Sequence, residues 1–152
     1  MRIGKRQVAF RLLLALPALL GLAFIMSGCL IGTYQDGTIT GELIGADSFN
    51  GVADFVFFVF PQGADAFSGT PVGESPGGLT ISGGVAQGTA VDYPTGSFTV
   101  IFQGGDNFFL FGFIDENNNG ALDTGEEYGY SYLFTVSGDM LVIMDEAGFL
   151  TF

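Results

Sequence analysis

Apolar and polar residues alternate along GTITGELI (37–44), putting Ile39, Gly41 and Leu43 on one side and Thr38, Thr40 and Glu42 on the other. A period of two predicts a half-buried strand. VADFVFFVF (52–60) is apolar on both faces and stops at Pro61, as a central sandwich strand would. Residues 61–78 are rich in Gly, Pro and Ser and predict irregular chain with one short strand near Val72. LTISGGV (79–85) predicts a weak strand. SFTVIFQ (97–103) and NFFLFGFI (107–114) predict strong strands separated by a tight turn at Gly104-Gly105-Asp106. YGYSYLFTV (128–136) and MLVIM (140–144) come next, parted by Ser137-Gly138-Asp139, and GFLTF (148–152) adds a terminal edge strand.

No window after residue 30 has a 3.6-residue period, and 25 Gly among 152 residues leave little room for long helices. The 17 Phe, with Val and Ile, supply a β-type core. The expected fold is all-β: one antiparallel β-sandwich of about seven strands, of Greek-key type, over residues 37–152 and preceded by an N-terminal signal helix.

Charge is distributed unevenly. The four bases, Arg2, Lys5, Arg6 and Arg11, all precede residue 12, whereas the sixteen acids run from Asp36 to Glu146. After the positive start, residues 12–26 (LLLALPALLGLAFIM) are apolar throughout, and Ser27-Gly28-Cys29 comes after them. A basic start, an apolar run of about 7–15 residues and a small-residue cleavage site make an export signal. The run is short for a membrane span, which needs about 20 residues.

Met26-Ser27-Gly28-Cys29 resembles the lipobox of bacterial lipoproteins. The resemblance implies a signal peptide over 1–28 that is cut before Cys29, a lipid-modified Cys29, and a short tether over 29–36. It also implies anchoring in the bacterial membrane, with the outer membrane favoured in a host that has one because Leu30 is not the Asp associated with inner-membrane retention. Met26 departs from the usual Leu. Other readings of the segment are an ordinary signal with an incidental Cys and an uncleaved anchor helix. Cys29 is the only Cys, so no intrachain disulfide can form, and acylation would remove a reactive exported thiol.

Residues 29–152 contain no Lys, Arg or His, so no side-chain salt bridge can form among them. Such an acidic surface repels nucleic acid, and none is expected as a partner. Catalysis is not expected either: the usual general bases, Schiff-base lysines and phosphate clamps are missing, and paired carboxylates are too plentiful to be diagnostic. The partners expected are the membrane, through the lipid anchor, and an envelope protein or a glycan. Tyr128, Tyr130 and Tyr132 alternate along one strand and form the candidate face for such a ligand.

One segment matches a metal-binding pattern, the alternative reading being a metal-free Asn/Gly turn between two strands. Residues 115–127 read DENNNGALDTGEE and match the twelve-position calcium loop. Asp115, Asn117 and Asn119 fall at positions 1, 3 and 5, Gly120 at the turn position, and the Ala121 carbonyl at 7. Asp123 falls at 9 and Glu126 at 12, with Leu122 placed to pin the loop on the core. All donors are oxygens, which favours Ca²⁺ over zinc or copper. Three charged ligands imply weak affinity, on the order of 10⁻⁴–10⁻³ M as in extracellular modules.

The flanking FFLFGFI and YGYSYLF look like strands, not the helices of an EF-hand. An aromatic strand ending in FGFID, followed by ENNNGALDTGEEYGY, resembles prealbumin-like, or carboxypeptidase-regulatory-like, β-sandwich domains of exported bacterial proteins. That resemblance implies a seven-stranded, non-catalytic module, in some members with Ca²⁺ in this loop, which here would be held by Asp115, Asn117, Asn119, Asp123 and Glu126.

Overall fold

The computed structural model describes residues 35–94 and 99–152. The expected export signal and signal helix, Cys29, and residues 30–34 of the expected tether lie outside the described residues. The chain divides into two units between Thr33 and Tyr34, and the second unit holds the folded domain.

The fold is an all-β sandwich. Its strands in chain order are β1 (Ile39–Ile44), β2 (Asp54–Pro61), β3 (Gly73–Glu74), β4 (Leu79–Thr80), β5 (Ala86–Thr89) and β6 (Val91–Asp92). Then come β7 (Asn107–Asp115), β8 (Glu127–Tyr130), β9 (Phe134–Thr135), β10 (Met140–Asp145) and β11 (Leu150–Thr151). The smaller sheet has the order β10-β1-β5. The larger runs β11-β8-β7-β2-β3-β6, with β4 also on β2 and β9 also on β7. Every ladder is antiparallel except β1 with β10, which is parallel and sets Ile39 beside Met140.

The inner faces meet through Ile39 and Leu43 of β1, Phe55, Phe57 and Val59 of β2, Leu110 and Ile114 of β7, and Val142 and Met144 of β10, all buried. Two rings need glycines opposite them. A Cβ on Gly41 would lie 2.8 Å from the Phe57 ring, and one on Gly112 would lie 2.6 Å from the Phe55 ring. The missing side chain at Gly41 lets the two sheets close at native packing density, and that at Gly112 lets the Phe55 ring lie across its own sheet.

β2 and β7 are apolar on both faces because both faces are covered. On the outer side Val56, Phe60, Phe111 and Phe113 form a second cluster, packed by Ala64 and Ala66 from the segment after β2 and by Leu122 and Tyr128.

The structure departs from the expected strands in three places. SFTVIFQ does not form a ladder: among its described residues, Thr99 bridges Val91 and Phe102 bridges Gly37, and neither bridge extends. Among its described residues Phe102 is buried in the core and Val100 packs against it, while Ile101 is exposed. The expected strand at 128–136 is two strands. β8 and β9 both pair with β7, with Phe111 opposite Tyr130 and Phe108 opposite Phe134. Residues 131–133 therefore face 109–110, one residue more than their partner, which is a β-bulge. Residues 86–92, which lie outside every expected strand, supply β5 and β6. These short pieces raise the strand count among the described residues to eleven from the expected seven or so.

Candidate functional site

The 115–126 loop is the tip of the β7–β8 hairpin. Ile114 pairs with Glu127, which leaves Asp115 and Glu126 as the next two residues across the mouth. Both carboxylates are buried, at 1% and 4% exposure, in a protein whose described residues include no cationic side chain. Asp115 also stands opposite Asp54 on β2, so two like charges share a ladder position.

Backbone N–H groups stabilise these acids. Asp115 accepts the N–H of Asn119 on Oδ1 at 3.1 Å and that of Gly120 on Oδ2 at 2.7 Å. Glu126 accepts the N–H of Glu116 on Oε1 at 2.9 Å and that of Asp123 on Oε2 at 2.8 Å. The turn that aims these groups inward uses the left-handed region at Asn118 (φ 56°) and Gly120 (φ 79°). Asn tolerates that conformation and Gly adopts it freely.

The remaining ligand candidates lie at the solvent side. Asp123 Oδ2 accepts the side-chain amides of Asn117 at 2.9 Å and Asn119 at 2.7 Å, and these two bonds hold the Asp123 carboxyl below its ordinary range. Asn119 Oδ1 accepts the N–H of Ala121 at 2.7 Å. Leu122 packs on the outer aromatic cluster and fastens the loop to the sheet. Asn117, Asn119 and Asp123 are thus brought together, and Asp115 and Glu126 close the loop at its base. Among the described residues, no three His, Cys, Asp or Glu side chains converge as a ligand group.

The donor set nonetheless suits a hard cation. A carboxylate oxygen has two lone pairs, and each of the four oxygens of Asp115 and Glu126 accepts one hydrogen bond here. One pair per oxygen remains for a metal. Asn117 and Asn119 commit amide N–H groups to Asp123, and the Asn119 amide oxygen also accepts one hydrogen bond, from Ala121.

Neighbouring acids add negative potential. Glu127 has its pKa raised, first by burial, then by a hydrogen bond and charge from Glu146, then by the charge of Glu116. In the sequence Glu127 has the character of a solvated acid and Glu146 has no distinguishing neighbour, because only the fold brings the two together.

Of the three candidate tyrosines, two share a face. Tyr128 and Tyr130 meet edge-on at 6.1 Å, and both touch Phe111. Tyr132 falls in the bulge, is 95% exposed, and leaves that face. Phe67 and Phe152 join the face instead, stacked on each other at 5.8 Å and each edge-on to Tyr128. Neither was legible as a neighbour, since each arrives from a distant part of the chain. Phe152 is positioned through the loop, exchanging backbone hydrogen bonds with Gly125 and Glu126.

Compared with protein-family models, with curated proteins and with solved structures, the chain matches none of them.

Proposed function

We propose that this chain is an exported, lipid-anchored lipoprotein of the bacterial cell envelope whose β-sandwich is a non-catalytic binding or structural module stabilised by Ca²⁺ in the 115–126 loop. The observation that carries the metal reading is the pair of buried carboxylates, Asp115 and Glu126, at the mouth of one hairpin with no cationic side chain among the described residues. Burying charge is costly unless it is paired or binds a metal. The basic start, apolar run and Met26-Ser27-Gly28-Cys29 support the anchor. The strand-flanked loop supports the likeness to prealbumin-like exported domains.

Thermal unfolding of the full chain in detergent, with Ca²⁺ titrated against Mg²⁺ and against NaCl at equal ionic strength, tests the metal. Saturation near 100 times the dissociation constant adds about 2.7 kcal/mol, a rise of roughly 8–15 °C for a domain of this size. A NaCl effect equal to that of Ca²⁺ would refute it. The anchor is tested by Cys29→Ser, which should release the protein from membranes or leave it uncut. A mature-sized, membrane-bound Cys29→Ser protein would refute lipidation.

A second reading, a carbohydrate- or protein-binding module that needs no metal, is favoured by the exposed rings of Tyr130, Phe67 and Phe152 on one face. Binding to a glycan array that Tyr130→Ala abolishes and chelator leaves unchanged would select it.

A further inference from the structure

The smaller sheet ends on an open strand. Among the described residues β10 pairs with β1 alone, along the full length of both strands. Met140 donates its N–H to Thr38 at 2.9 Å. Backbone groups alternate along a strand, so Met140, Val142 and Met144 bond toward β1 while the N–H and C=O of Leu141 and Ile143 point to the unpaired side. Their side chains are also outward: Leu141 is 50% and Ile143 51% exposed, between buried or half-buried Met140, Val142 and Met144. The other outer strands of the two sheets are shorter, with two residues in β6, two in β11 and four in β5.

Exposed edges of this length template further pairing, and natural proteins usually blunt them with Lys, Pro or a bulge. Nothing of that kind occurs within MLVIMD. Acids stand at its ends instead: Asp139 before it, Asp145 and Glu146 after it, and Glu42 beside Ile143 on β1. A second copy of the chain would bring the same acids against these in either strand direction. A strand flanked by cations would meet complementary charge at both ends.

We infer that the β10 edge is a docking site for an extended segment of a partner protein, apolar on one face and carrying Lys or Arg at its ends, which adds to the sheet as a further strand. The added strand takes up the N–H and C=O groups of Leu141 and Ile143 and covers their side chains, while Asp139 and Asp145–Glu146 hold its basic ends. Main-chain pairing supplies affinity in such strand addition, and side chains and charge supply selectivity.

The test uses the full chain in detergent and a fluorescent synthetic peptide alternating Val and Thr between terminal lysines, with a glutamate-ended peptide of the same core as control. Anisotropy should report binding of the lysine-ended peptide alone, weakening as NaCl rises. Ile143→Pro removes an outward N–H that β1 does not use, so the thermal midpoint should hold while affinity falls about tenfold or more. Should Ile143→Pro fail to fold, Glu42→Gln/Glu146→Gln leaves the backbone intact and should weaken the lysine-ended peptide and lessen its salt dependence. No binding, equal binding of both peptides, or undiminished binding to folded Ile143→Pro would overturn the inference. Self-association of the protein that Ile143→Pro suppresses would overturn it too, in favour of a second copy at this edge.

Discussion

Glu126 spans the base of its loop to accept the backbone N–H of Glu116 at 2.9 Å, while its other oxygen accepts that of Asp123 at 2.8 Å. One side chain thus ties both sides of the hairpin tip. Glu126→Ala should leave two N–H groups without these acceptors and destabilise the protein by about 1–3 kcal/mol per orphaned group that water cannot reach. It should also abolish any Ca²⁺-dependent rise in thermal midpoint. Denaturant unfolding with and without Ca²⁺ measures both effects, and a Ca²⁺ response equal to that of the parent would remove Glu126 from the ligand set.

Gly41→Ala places a Cβ 2.8 Å from the Phe57 ring, in the middle of the contact between the sheets. Overpacking of this kind costs roughly 1–3 kcal/mol. Phe57→Leu in the same chain should recover part of that loss, so the double-mutant cycle should show coupling. Additive losses would mean that the ring moves aside without cost.

Glu127 and Glu74 both have raised pKa values, Glu127 through burial and the nearby Glu146 and Glu116, Glu74 through burial alone. For an acid with a raised folded pKa, the unfolded chain releases its proton first, so stability falls as pH climbs above the ordinary value of 4.5. Asp139, Asp65 and Asp123 are lowered, chiefly by hydrogen bonds from Thr38, from Phe67 and Ser68, and from Asn117 and Asn119. Their stabilisation is present above 3.8 and is lost as pH falls through their folded values. Acidification from neutrality should therefore stabilise the fold down to about pH 4.5 and destabilise it below about 3.8. Glu127→Gln should raise stability at pH 7 and flatten the upper limb of a pH series of melting curves; an unchanged limb would contradict this account.

Tyr130 touches the rings of Phe109, Phe111 and Tyr128, whereas Tyr132 projects from the bulge. Tyr130→Ala should cost about 1–2 kcal/mol from lost ring contacts. Tyr132→Ala should stay within about 0.5 kcal/mol of the parent. Equal losses at the two positions, measured by urea unfolding, would mean that the bulge does not expel Tyr132.

The strong elements were legible because their patterns were long and local. β1 alternates, β2 and β7 are apolar on both faces, and each matches the burial found. The loop was legible because its turn needs a left-handed residue at Gly120 and its acids recur at fixed spacing. What escaped was decided by distant partners. Ala86–Thr89 becomes β5 only because β1 offers it an edge, with Thr40 beside Thr89 and Leu43 beside Ala86. SFTVIFQ has the composition of a strand, yet its bridges go to two different partners. The bulge at 131–133 disturbs a run that alternates cleanly on paper, and Ser131 fills the gap by accepting the N–H of Leu110 on its hydroxyl. Whether a tyrosine joins the aromatic face or meets solvent was set there.

The parallel ladder between β1 and β10 bears on when this protein can fold. The hydrogen bonds from Thr38 to the Asp139 carboxylate at its start join residues 101 positions apart. Contacts of such separation carry a large loop-closure entropy and slow the search for the native topology. The smaller sheet therefore cannot be completed until nearly the whole chain is available. Until β10 joins, the inner faces of β2 and β7 lack the cover of Val142 and Met144, which would favour the unfolded, threadable state that the proposed export through a translocation pore requires.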